Sequence, residues 1–163
     1  MKNFLILLTF LILFSGCSSR SAFYEFKMDR DQTLAVSNLK SSKLLSKDGN
    51  INGIFSAIYL NEVYPEEFNQ NDAFFIFFFT KTEMKLSINE PSKKELKVVL
   101  GSKTPSKIEE LEQENKFSHL VGVKNSWSRY YLVTFEKIED KTLSIEEIDG
   151  TKTTLQFKKS ESN

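Results

Sequence analysis

The run Ala73-Phe74-Phe75-Ile76-Phe77-Phe78-Phe79 constrains this chain more than any other stretch. Seven residues is strand length, and the aromatic content favours a strand over a helix. Successive side chains of a strand point to opposite faces. One face therefore carries Ala73, Phe75, Phe77 and Phe79, and the other carries Phe74, Ile76 and Phe78. Each aromatic represents about 150–250 Å² when buried, and soluble monomers seldom expose a contiguous apolar patch beyond a few hundred Å². A two-layer sandwich buries one face of each strand, so the second face needs its own cover. That cover is either the chain itself, through residues 105–116 or a long loop, or a partner or lipid surface. In the second case Phe74, Ile76 and Phe78 form an interaction surface. Asp72 and Lys81 flank the run as charged gatekeepers against aggregation.

The rest of the chain reads as short strands divided by turn residues. Residues 23–31 alternate, with Tyr24, Phe26 and Met28 against Glu25 and Lys27, and predict a first strand. Residues 32–45 suggest a loop followed by a short strand near Lys43, and Lys47-Asp48-Gly49-Asn50 is a turn. Residues 51–64 carry apolar groups on both faces, as an interior strand does. Shorter strands are predicted over 84–88, 95–100 and 120–123, and longer ones over 131–138, 143–148 and 151–158. Thr104 suits a helix N-cap and Pro105 the first helical position, so the one short helix is predicted over 105–116. Its glutamates Glu109, Glu110 and Glu112 complement the helix dipole.

The last hairpin can be set in register. A two-residue loop at Asp149-Gly150 would place Ser144 opposite Leu155 and Glu146 opposite Thr153. A three-residue loop with a left-handed Gly150 pairs Glu147 with Thr151 instead. Leu143 then meets Leu155, Ile145 meets Thr153 and Glu146 meets Lys152. Apolar faces apolar and charge faces opposite charge, which selects the second register.

Many short strands with one helix predict an all-β fold, a single antiparallel β-sandwich of immunoglobulin-like kind, with a closed β-barrel as the alternative. About 145 residues follow the first seventeen, enough for one domain with a real core, and residues 23–160 are assigned to it. The chain has 22 Lys and Arg against 22 Asp and Glu, with no basic stripe, so nucleic acid is not an expected partner.

The first residues carry an address. Lys2 is followed by an uncharged run of eleven residues, 4–14, and then by Ser15-Gly16-Cys17. The apolar run falls well short of the roughly 20 residues that cross a bilayer, and the order is that of a secretory signal. Ser15-Gly16-Cys17 resembles the lipobox of bacterial lipoproteins, with Phe14 where that family most often has Leu. The resemblance implies a signal peptide over 1–16, a diacylglyceryl group on the Cys17 thiol, and an acylated new amino terminus. Residues 17–22 would then be the acylated Cys and a short tether. Cys17 is the only cysteine, so no internal disulfide can form, and acylation accounts for an odd thiol in an exported chain. Several acyl chains make a durable anchor. In such proteins Ser rather than Asp after the Cys implies the outer membrane, facing the periplasm or the cell surface. Here that residue is Ser18.

Nothing in the body spells out a reaction. His119 is the single histidine, so zinc sites and His- or Cys-based triads have no material, and no metal or cofactor is expected. The oxygen-rich stretch of Glu66, Glu67, Asn69, Asn71 and Asp72 lacks the glycine and terminal glutamate of an EF-hand loop and reads as a solvated loop. Trp127, Arg129 and Tyr130 lie together before a strand, where a ring-and-guanidinium patch could grip a peptide or glycan, or simply cap the core. Three functions stay open on these grounds: a membrane-anchored interaction or structural module of the envelope with a protein partner, which is favoured; a carrier of a lipid or small apolar ligand; and, without any motif to support it, a hydrolase.

Overall fold

The computed structural model describes residues 28–122 and 126–158. The signal segment, Cys17, the tether and most of the expected first strand lie outside the described residues. In chain order the elements are helix α1 (Arg30–Asn38), β1 (Leu39–Leu45), β2 (Ile51–Tyr59), helix α2 (Leu60–Val63), β3 (Asn71–Thr80), β4 (Lys85–Ser87), β5 (Glu95–Leu100) and β6 (Lys107–Leu111). A 3-10 turn at Ser118–Leu120 follows, then β7 (Arg129–Glu136), β8 (Thr142–Glu146) and β9 (Lys152–Gln156).

The strands form a five-stranded sheet in the order β1-β2-β3-β7-β6 and a four-stranded sheet in the order β4-β5-β8-β9. This is the expected all-β sandwich, and the two sheets remain separate, so no barrel closes. Two details differ from the sequence reading. Among the described strands β4 and β5 pair in parallel, while the other named pairs are antiparallel. The order is also not the A-B-E-D and C-F-G arrangement of immunoglobulin domains, because β1, β2 and β3 follow one another as a meander.

The aromatic run sits in β3, the middle strand of the larger sheet, between β2 and β7. Phe74, Ile76 and Phe78 point into the space between the sheets, where they pack with Val98 and Leu143 of the opposite sheet. Ring contacts fill that space. Phe74 lies edge-on to Phe135 at 5.9 Å and to Phe157 at 5.2 Å, and Phe78 stacks on Tyr131 at 5.6 Å with the planes 4° apart.

The second face of β3 is covered by the chain around Ala73 and Phe75, mainly by elements other than residues 105–116, of which Leu111 packs against the same cluster. Ala73 and Phe75 lie beneath Ala35 of α1, Leu60 and Val63 of α2, and Phe117 and Leu120 around the 3-10 turn. Helix α1 occupies a stretch expected to be strand and loop. Its start is fixed by a capping box: Asp29 accepts from the Gln32 backbone N–H at 2.8 Å, and the Gln32 side chain accepts from the Asp29 N–H at 3.1 Å. Ala35 is its buried contact with the sheet. β1 follows at once and includes Lys43, where a short strand is expected.

Residues 107–111 form edge strand β6 rather than a helix. Backbone groups along the outer side of β7 need partners, and β6 supplies them in antiparallel register from Lys107↔Thr134 to Leu111↔Tyr130. Pro105 precedes the strand, where its missing N–H costs no ladder bond. β2 ends at Tyr59 and the chain turns into α2, short of the expected residue 64. Leu120 closes the 3-10 turn and Val121 and Gly122 carry no regular structure, so the described part of the strand expected over 120–123 is absent.

The β8–β9 hairpin has the derived register. Leu143 pairs with Leu155, Ile145 with Thr153 and Glu146 with Lys152. Glu147 N–H donates to the Thr151 carbonyl at 2.9 Å, and Gly150 is left-handed with φ of 83°.

Candidate functional site

β3 places its odd-numbered side chains on the outer face of the five-stranded sheet. The cross-strand rows on that face run Ile58–Phe75, Ser56–Phe77 and Ile54–Phe79. The first row is roofed by α1, α2 and the 3-10 turn, and Phe75 and Ile58 are fully buried. The roof ends before the third row, where Ile54 is 52% exposed and Phe79 38%. Trp127, 77% exposed, extends this row from the loop before β7, its ring 6.3 Å from that of Phe79. Ile54, Phe77, Phe79, Trp127 and Tyr130 line a groove of about 480 Å³.

Gly53 makes the row possible. A Cβ at this position would stand 2.2 Å from the Phe79 carbonyl oxygen, so only glycine lets β2 approach β3 here. The neighbouring depression is charged, lined by Lys81, Glu83, Glu110, Glu112 and Arg129 beside Phe79 and Trp127. Arg129 donates to Glu110 at 2.5 Å and also to Glu83, so its guanidinium ties the start of β7 to β6 and to the loop before β4. An Arg committed to two carboxylates braces the groove wall rather than waiting for an anion.

The six residues singled out by sequence are thus not one surface. Phe74, Ile76 and Phe78 are core: all three are buried between the sheets, because the stacked second sheet claims the even face of β3. They belong to the interior and not to an interaction surface. Tyr130 is buried on the outer face, stacked beside Phe75 at 6.1 Å and Phe77 at 6.2 Å, and forms the floor of the groove. Trp127 remains on the surface with Arg129 at its rim. Sequence reasoning missed Ile54 and Phe79, whose exposure depends on where the roof stops.

No family model, curated protein or solved structure matches the chain.

One polar cluster competes for attention. Asp72 is not a solvated gatekeeper but is fully buried, as is most of Lys141. Oδ1 of Asp72 accepts from the Tyr59 hydroxyl at 2.6 Å, and Oδ2 accepts from Lys141 Nζ at 2.5 Å and from the Ile138 N–H at 3.0 Å. Lys141 also donates to the Ile138 carbonyl. Burial, and then the Asp72 carboxylate, push the Tyr59 hydroxyl pKa far above its ordinary value. The adjoining cleft of about 470 Å³ is lined by Phe68, Asn69 and Lys137 among others. Its two central charges neutralise each other and are held by the fold, so the cluster staples β3 to the β7–β8 turn.

His119 is exposed, and its Nε2 lies 2.9 Å from the Tyr64 hydroxyl. Among the described residues no three His, Cys, Asp or Glu side chains converge as metal ligands.

Proposed function

We propose that this chain is a lipid-anchored protein of the bacterial cell envelope, held by an acylated Cys17 in the outer membrane. In this reading it works as a non-catalytic interaction or structural module. The observation that carries the functional half is the open row Ile54–Phe79–Trp127 on a sheet face the chain otherwise covers. Exposed Trp beside other apolar groups is what binding surfaces concentrate. The anchoring half is supported by the order Lys2, apolar 4–14, Ser15-Gly16-Cys17. The filled space between the sheets favours a surface role over a carried ligand.

The test has two arms. Cys17→Ser should move the protein from the membrane pellet to the soluble fraction with an unchanged melting temperature. A photo-crosslinking amino acid at position 127 should give adducts in living cells, while the same group at exposed Lys94 should not. A variant still fully in the pellet would remove the anchor, and no adduct at position 127 would remove the interaction surface.

A further inference from the structure

Among the described residues, the Tyr131 hydroxyl is the buried side-chain group that closes no hydrogen bond. Tyr131 is 2% exposed, with its ring stacked on Phe78. A buried hydroxyl without a partner is costly and calls for a reason. Glu110 faces Tyr131 across the β6–β7 ladder, but its carboxylate is turned to Arg129 at 2.5 Å and to Lys85 at 3.8 Å. Burial first, and then Glu110, raise the Tyr131 pKa, while the Leu86 backbone and the Arg129 guanidinium hold it down as donors do. The oxygen thus has donors near it, and what is missing is an acceptor for the O–H.

Tyr131 reaches the seam where the two sheets end. β4 is the last strand of one sheet and β6 of the other. Between them Leu86, Ile88, Ile108, Glu110 and Tyr131 help line a slot of about 360 Å³. The opposite seam is bridged, since the Thr153 hydroxyl of β9 donates to the Lys43 carbonyl of β1 at 3.2 Å. Backbone groups converge on the open slot. The Lys85 N–H donates to the Lys94 carbonyl at 3.0 Å, on the side where β4 pairs with β5. Leu86, the next residue, therefore directs its N–H and carbonyl to the other edge, which no described strand pairs. One acceptor oxygen can meet both the Leu86 N–H and the Tyr131 O–H, and the Leu86 carbonyl can take one N–H. That pairing is what a peptide backbone offers to a strand edge. Ile88, 42% exposed, and Ile108 make an aliphatic wall. The rim charges are matched, Lys85 with Glu110 and Lys107 with Glu109, which suits a neutral occupant.

We infer that this seam binds a neutral, extended peptide segment that adds a strand to the free edge of β4. The segment pairs its backbone with Leu86, gives the Tyr131 hydroxyl its acceptor, and lays an aliphatic side chain against Ile88 and Ile108. The site is distinct from the Ile54–Phe79–Trp127 row, and it needs neither that surface nor the anchor.

The test titrates the isotope-labelled full-length protein with N-acetyl-threonyl-valyl-threoninamide and follows the backbone amides by NMR. The Leu86, Ile88 and Ile108 signals should shift saturably at millimolar peptide, and the lysyl analogue should leave them in place. Tyr131→Phe should weaken binding roughly tenfold, the loss of one hydrogen bond. Its melting temperature should stay level or rise, because the hydroxyl it removes has no bond in the free protein. Ile88→Lys, at an exposed position, should abolish the shifts and leave the fold intact. No saturable shift, or shifts confined to other strands, would overturn the inference. Equal binding by Tyr131→Phe would remove the hydroxyl from the site and overturn it too. A clear fall in the melting temperature of Tyr131→Phe would show that the hydroxyl is already satisfied, by a held water or by Glu110, and would also overturn it.

Discussion

Lys141 holds its ammonium nitrogen 2.5 Å from Oδ2 of Asp72, and the two residues, far apart in sequence, are both buried. The pair fastens the second residue of the central strand to the turn leading into β8. Removing one member leaves the other buried and uncompensated, which costs about 3–5 kcal/mol in comparable pairs. Lys141→Met should therefore destabilise the domain strongly in urea. Adding Asp72→Asn should restore part of the loss, since the stranded charge is gone. Equal stability of the single and double variants would argue against the pair as a staple.

The core and the groove should respond oppositely to truncation. Phe74→Ala empties space between the sheets and is expected to cost about 3–5 kcal/mol. Trp127→Ala removes a largely exposed ring and should stay within about 0.5 kcal/mol. Thermal or chemical denaturation of the two variants decides the matter. A large loss at Trp127 would mean that the ring belongs to the fold.

Gly53→Ala should destabilise by about 1–3 kcal/mol, the usual range for forcing a group into a packed site. The added methyl meets the Phe79 backbone and not a mobile side chain. Gly150→Val should cost about 1–2 kcal/mol, because a left-handed residue with φ of 83° penalises a side chain. Its neighbourhood is open, so the conformational term acts alone there. An unchanged melting temperature for either variant would contradict the corresponding geometry.

Alkaline pH should weaken the domain. Burial first, and then Asp31, raise the Tyr64 pKa from its ordinary value near 10 to about 12. A raised folded-state value means that the folded chain binds more protons between these two limits. The stabilisation from this group is complete below pH 10 and is lost as pH rises through 12. Tyr59 is shifted in the same direction, also first by burial. Unfolding followed against pH should show a decline beginning near 10, and Tyr64→Phe should flatten it.

How much of this could be read from residues alone varies with the range of the interaction. The β8–β9 register follows from local matching of Leu143 with Leu155 and Glu146 with Lys152, and the structure has it. β3 announces itself because seven consecutive apolar residues have few alternatives. Residues 105–116 mislead because Thr104, Pro105 and three glutamates satisfy helix rules locally, whereas the unpaired edge of β7 decides the outcome from a distance. α1 was legible in principle: Asp29 and Gln32 have capping-box spacing, but the surrounding Ser and Lys read as loop. The Asp72–Lys141 pair and the open Ile54–Phe79 row have no local signature, since one joins distant segments and the other depends on where a roof ends.

The central claim is that this domain is tied to lipid through Cys17, and the intact mass of the protein purified from its own membrane tests it most directly. The account predicts a chain beginning at Cys17 and carrying a diacylglyceryl group and an amide-linked acyl chain. A main species beginning at Met1 without lipid would contradict it.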